Sequence, residues 1–295
     1  MIITNIKQKY FWLKKIFESV NNPLGTFLFR IGVVNKFICD FKQFGTVKLT
    51  KKDIDSGLFA ALVGVQISNS TSENTIKSIV SQKEKDIIDL DSIKILNVGI
   101  SSFIETFVEE SYFINNVFNG ESIIDIGGHV GDTALYFANK GYTVYSFEPI
   151  PEVFQIATKN LELNKRFADR VKLINKAVTS KKGTIKISFD SINESNVSSA
   201  FSSSKNLIEV DTTTLETILN EYEIDPYALK IDCEGCEYEI IGKTDLSMFS
   251  EILLEYHSNL TGINAQYLIE NLQNQGFEVK KMVGNKDMGL IHFYK

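Results

Sequence analysis

The sequence predicts an α/β fold: a doubly wound, mostly parallel sheet with helices on both faces, preceded by a mixed N-terminal extension. Three observations predict it. From residue 122 onward, short apolar runs alternate with helical segments, as βαβ units do. "IIDIGGHVGDTALYF" carries a strand into a glycine-rich turn and then a helix. "EILLEY" (251–256) is almost continuously apolar, like a strand buried on both faces.

Composition sets the limits. A chain of 295 residues with 43% hydrophobic and 23% charged residues is an ordinary soluble globular protein. Three cysteines argue against a disulfide framework and for a reducing, cytoplasmic setting. No apolar run is long enough to span a bilayer, and "MIITNIKQKYFWLKK" does not read as a signal peptide. Charge is uneven. Residues 1–52 carry a net +8 and the remainder −14, which argues against a uniformly basic nucleic-acid binder. The expected division is an extension at 1–90 and a catalytic domain at 91–295.

In order along the chain, "YFWLKKIFESV" has Leu13, Ile16, Phe17 and Val20 at helical spacing. Residues 53–90 are mixed, with a polar helix in "TSENTIKSIVSQKEKDI". "SIKILNV" reads as a strand, and "SSFIETFVEESYFINNVF" as a helix ending at Asn119-Gly120. Then come strand 122–126, helix "GDTALYFANKG", strand 143–147 and helix "PEVFQIATKNLELN". Pro151 opens that last helix, where its missing N–H costs nothing. Strand 171–178 precedes a hairpin, "TIKISF" and "NLIEV", around a Ser-rich loop at 191–204. Helix "TLETILNEY", strand 227–231, short helix "GCEYEIIGK", strand 251–256 and helix "NAQYLIENLQNQG" follow. "FEVKKMV" and "GLIHFY" close the sheet, and His292 in the latter reads as structural.

Asp125 ends the first strand before Gly127, Gly128 and Gly131. Glycines there let the chain turn tightly and let a ligand approach a helix N-terminus. A dinucleotide fingerprint wants G-x-G-x-x-G, which this spacing fits poorly. An acidic-x-Gly-x-Gly-x-Gly pattern, as at S-adenosylmethionine sites, fits better, with Gly128-His129 altering its middle. Glu148 ends the next strand, 17 residues after Gly131, where a carboxylate can accept both ribose hydroxyls.

"DIGGHVGDTALYFA", "YSFEPIPEVF", "NKAVTS", "VDTTTLETIL", "LKIDCEGCEYEII" and "ILLEYH" occur in the order found in FkbM-type S-adenosylmethionine-dependent methyltransferases. The chain resembles that family over about residues 95–295. The resemblance implies a class I, Rossmann-like fold with seven strands, the last antiparallel. It implies methyl transfer to a hydroxyl of a sugar, glycan or glycolipid. Carried onto this sequence, Asp125 and the loop with Gly127, Gly128, His129 and Gly131 hold the methionine end of the cofactor, and Asp132 and Thr133 also bind it. Glu148 lies at the ribose, Pro149 beside it also binds the cofactor, and Asn175 and Ala177 lie near adenine. Ser198 and Ser199 would cover cofactor or acceptor.

"KIDCEGCEYE" (230–239) packs two thiols and four carboxylates into ten residues. The related text in the family resembles KIDVEGAE, so Cys233 and Cys236 stand where small apolar residues do, and free Cys packs as a small hydrophobe. A metal or redox pair stays open, but a structural zinc lacks its remaining ligands and no metal is expected. Glu237 and Glu239 suit a helix N-terminus. Asp232 and Glu234, at the carboxyl edge of the sheet, and His257, after the next strand, are the candidate catalytic groups. Asp232 or His257 would take the acceptor proton, and Glu234 would hold acceptor hydroxyls. The basic, aromatic residues 1–52 suit a cap, a subunit interface in a homo-oligomer, or a surface lying on an anionic membrane. An NAD-binding oxidoreductase and a non-catalytic binding module remain the rival readings.

Overall fold

The computed structural model describes residues 2–65, 70–90, 92–98, 100–114, 120–189 and 207–295. The chain divides into two compact units, residues 1–91 with 99–110, and residues 92–98 with 111–295. No helix among the described residues is long and apolar enough to cross a membrane.

In the first unit, α1 (Ile2–Ser19) and α2 (Pro23–Arg30) precede an antiparallel hairpin, β1 (Lys36–Phe41) and β2 (Gly45–Thr50). Helices α3 (Lys51–Asp55), α4 (Leu58–Gly64), α5 (Ser70–Ser81) and α6 (Ile100–Phe103) follow. The hairpin was not expected, although its alternation is legible: Cys39, Phe41, Val47 and Leu49 face inward and are buried, while Ile38 and Lys48 face outward. The long helix expected from 101 breaks. It becomes a π-helical turn at Ile104–Val108, closed by Glu109 N–H donating to Ile104 O, and Glu110 leaves at φ 47°. Its expected end at 115–119 lies outside the described residues.

The second unit holds the site. Its strands are β3 (Ser122–Ile126), β4 (Thr143–Phe147), β5 (Val171–Ile174), β6 (Ala177–Val178), β7 (Gly183–Ser188), β8 (Leu207–Thr213), β9 (Pro226–Ile231), β10 (Glu251–His257), β11 (Glu278–Gly284) and β12 (Met288–Tyr294). Its helices are α7 (Asp132–Asn139), α8 (Pro151–Leu163), α9 (Leu215–Glu221), α10 (Glu237–Lys243), α11 (Ser258–Thr261) and α12 (Gln266–Asn274). Seven strands form one sheet in the order β11-β12-β10-β9-β3-β4-β5. The pairs from β10 through β5 are parallel, and β12 is antiparallel to both its neighbours. This is the expected Rossmann-like sheet with a reversed last strand. The expected strand 171–178 is instead two, interrupted at Asn175 and Lys176, because β6 leaves the main sheet to pair with β8. The expected hairpin is β7 against β8; its Ser-rich loop lies outside the described residues.

Ile124, Leu229, Ile231, Ile252, Leu254 and Phe293 are fully buried in the central strands. Each such side chain contributes about 1.5–3 kcal/mol. Strand order brings the carboxyl ends of β3, β4, β9 and β10 to one edge, where open α/β sheets bind ligands.

Candidate functional site

The glycine turn is shaped by what crowds it. Gly127 and Gly128 N–H both donate to Phe147 O at 3.0 Å, bending the chain over the end of β4. Gly127 has φ 79°, and a Cβ there would strike the Asp232 carbonyl; a Cβ on Gly128 would strike the Ser146 hydroxyl. Gly131 caps α7 at φ 82°, its missing Cβ facing Ala157 Cβ at 3.2 Å. Asn160, buried on α8, donates to Val130 O at 2.8 Å and pins the turn to that helix. Gly127→Ala must therefore move the 127–131 turn off β9. Its expected result is a loss of about 1–3 kcal/mol in urea unfolding, the backbone strain introduced.

Beneath the turn lies a buried ion pair. Lys230, at the end of β9, is 1% exposed and places Nζ 3.0 Å from Asp125 Oδ1. That contact is close but poorly directed, so Oδ1 has no aligned hydrogen bond. Nζ donates instead to Gly127 O at 2.6 Å. Asp125 Oδ2 accepts from Thr133 and Ser146 hydroxyls, each at 2.8 Å. Burial would lower the Lys230 ammonium, but Asp125 and Asp232 outweigh it and hold it above its ordinary range. Asp125 thus points inward and organises the turn, where the sequence reading set it against the methionine end.

Glu148, at the end of β4, accepts Ile150 N–H at 2.8 Å on Oε1 and His129 N–H at 3.0 Å on Oε2. Burial pushes its carboxyl up to about 8, against the pull of those two N–H groups. One N–H per oxygen leaves lone pairs for further donors. Asn175 donates to Glu148 O and Pro149 O at 2.8 and 3.0 Å, fixing the strand end. Ala177 is buried at the start of β6. Asp132 and Thr133 are buried in the first turn of α7. His129, at φ 46°, has its imidazole held below its ordinary range by burial. Ser198 and Ser199 lie outside the described residues.

The carboxyl ends of β9 and β10 gather the acids. His257 Nε2 lies 3.3 Å from Glu234 Oε2 and 3.8 Å from Glu255 Oε1. His257 Nδ1 lies 3.3 Å from Glu237 Oε1, which also accepts the His257 N–H at 2.8 Å. Glu237 Oε2 accepts Gly235 N–H at 2.8 Å. Tyr112 sets its one hydroxyl proton between Asp232 Oδ2 (3.1 Å) and Glu255 Oε2 (3.2 Å). Burial would lower the His257 imidazolium, but Glu237, Glu234 and Asp232 raise it to about 9. Burial raises Glu234 to about 7, His257 opposing and Asp232 and Glu237 adding to the rise. Asp232, Glu255 and His257 each offer one ligand atom within 4.8 Å of the others, a set that could hold a metal ion.

Asp232, Glu234 and His257 are thus brought together as the sequence suggested. Glu237 is not helix decoration but the buried partner of His257. The cysteines require a correction too. Cys233 and Cys236 are joined by a disulfide rather than packed as free thiols. The chain doubles back between them through Glu234 at φ 53° and Gly235 at φ 111°, bringing their Cα atoms to 5.4 Å. Lys230, Tyr112, Ser146 and Glu255 were missed. Only Lys230 left a signal, a charge inside an otherwise apolar strand. His292, read as structural, pairs with Glu251 between β12 and β10.

The profile of the methyltransferase FkbM domain matches residues 125–279. No curated protein matches the chain. Among solved structures, it is similar to methyltransferase FkbM from Methylobacillus flagellatus KT, with TM-score 0.42 and 15% identity, over 82% of this chain and 59% of that one. It is also similar to precorrin-6y C5,15-methyltransferase from Geobacter metallireducens GS-15, with TM-score 0.39 and 16% identity, over 65% and 87% of the two chains. A third is M. capricolum TrmK in complex with S-adenosyl-homocysteine, with TM-score 0.37 and 18% identity, over 63% and 66%. The chain spans less than two thirds of the length of the first of these.

Proposed function

Because the chain belongs to the FkbM methyltransferase family, we propose that it is a methyltransferase that uses S-adenosylmethionine to methylate a hydroxyl oxygen of a sugar, glycan or glycolipid. The observation that carries the cofactor reading is Glu148. A carboxyl group with spare lone pairs stands at the sheet's carboxyl edge beside a glycine turn, as ribose recognition requires. Gly127, Gly128, His129, Gly131, Asp132 and Thr133 would frame the methionine end, and Asn175 and Ala177 the adenine side.

The cofactor supplies a methyl group on a sulfonium, and displacement by the acceptor oxygen forms an O–CH3 bond, breaks S–CH3 and frees the hydroxyl proton. The chain's own groups orient the acceptor and take that proton. Glu234 and His257 titrate as a coupled pair facing each other at 3.3 Å. Burial sets the Glu234 carboxyl at about 7, where a general base works best near neutrality. His257, held by Glu237 behind its Nδ1, stays cationic and stabilises the ionised carboxylate. Asp232, its Oδ2 3.9 Å from the Lys230 ammonium, is placed to hold an acceptor hydroxyl.

Calorimetry against S-adenosylmethionine, S-adenosylhomocysteine and NAD tests the reading. Both adenosyl ligands are expected to bind, and Glu148→Ala to weaken them at least about fivefold, since two ribose hydrogen bonds of about 0.5–1.5 kcal/mol each are lost. Binding of NAD alone would sink the methyltransferase mechanism in favour of an oxidoreductase. Binding of none would leave a non-catalytic module.

A further inference from the structure

We propose that the outer face of α2 and β1, with the turn between them, docks on an anionic lipid surface. Among the described residues, 18 large apolar side chains are exposed, and eight fall within residues 11–38. Chance would not concentrate them so. On α2 and its C-cap, Leu24, Leu28 and Ile31 recur at i, i+4 and i+7 and continue one exposed face, whereas Thr26 and Phe29 on the other face are buried. The turn continues that face. Val33 N–H donates to Leu28 O, folding Val33 back beside the helix end, and residues 31–36 are all exposed. Asn22 donates to Ile38 O at 2.7 Å, tying the start of α2 to the outer face of β1. Leu24 is 70% exposed, Val33 66% and Ile38 56%, far more than isolated surface apolars need.

The charge around this patch selects its occupant. Ile38 pairs in register with Lys48, so the two share the outer face of the hairpin, and Lys36 lies two residues along it. Lys51 N–H donates to Asn35 O, placing Lys51 beside the same turn. Lys36, Lys48 and Lys51 are exposed. The acid on that strand face, Asp40, accepts from Asn21 at 3.1 Å. Apolar side chains ringed by lysines, in a segment of net +8, match a bilayer bearing anionic headgroups, where each cation adds about 1 kcal/mol. A second copy of this chain would instead bring +8 against +8.

The test is co-sedimentation of the full chain with vesicles of phosphatidylcholine alone or mixed with phosphatidylglycerol. Binding to the mixed vesicles is expected, at least about tenfold weaker to phosphatidylcholine alone, and weakened by salt. Leu24→Glu with Leu28→Glu, and separately Lys36→Glu with Lys48→Glu, should each cut binding at least about tenfold. All four positions are exposed, so unchanged thermal melts should accompany the loss. Equal binding to both vesicles, no binding, or variants that bind as the parent does would overturn the proposal. So would sedimentation velocity showing self-association, abolished by Leu24→Glu with Leu28→Glu, in a protein that ignores vesicles.

Discussion

Lys230→Met is expected to destabilise the second unit by about 3–5 kcal/mol, the cost of leaving one member of a buried ion pair alone. Asp125 is fully buried, and Lys230 is the cation facing its Oδ1. The same ammonium holds Gly127 O, so its loss also frees the glycine turn from β9. Methionine matches the stem in volume, which keeps cavity formation out of the result. Urea unfolding of parent and variant measures the difference. Adding Asp125→Asn to the variant should recover part of the loss, because the stranded charge goes with it. A drop below about 1 kcal/mol would mean the pair is far better solvated than its burial indicates.

The free protein should become less stable as pH rises from about 5 to 9. Three groups act in that direction, and His129, held below its ordinary range by burial, opposes them only below its unfolded value. Glu148 and Glu234 rise from 4.5 to about 8 and about 7, and His257 from 6.5 to about 9. Each raised value means the folded state holds a proton the unfolded chain has released. The stabilisation is therefore complete below the unfolded values and lost as pH climbs through the folded ones. A tenfold gain in proton affinity is worth about 1.36 kcal/mol, so the three together amount to several kcal/mol. Glu234 and His257 partly offset each other within that sum, because they titrate as a coupled pair. Thermal melts at pH 5.5, 7 and 9 in constant salt would show the decline, and Glu148→Gln should flatten its middle. A melt that rises with pH would contradict the buried, proton-holding site.

The sheet was legible because its signals are local. "EILLEY" and "SIIDI" each hold a short apolar run of strand length, and the glycines at 127, 128 and 131 mark a turn no other residue fits. Asp232, Glu234 and His257 could be placed together because two parallel strands end at one edge. What escaped reading was tertiary. Tyr112 reaches Asp232 and Glu255 from 120 and 143 residues away, and no periodicity announces that. Glu237 looked like an acid in a helix's first turn, which it is, until the fold buries it behind His257. The cysteine pair was read by residue volume, whereas backbone reversal at Glu234 and Gly235 decides its bonding.

The place of β12 has a consequence for synthesis. It is made after β11 yet lies between β10 and β11. Strand β11 has no partner to join until β12 has left the ribosome, and the apolar edge of β10 stays open in the meantime. From His257 to Met288 is 31 residues of translation, or roughly 2–6 s at 5–20 residues per second. During that interval the nascent chain shows a bare strand edge of the kind chaperones cover and neighbouring chains seize. Expression yield should depend on elongation speed through 258–287, and slowing translation there should favour inclusion bodies over native protein.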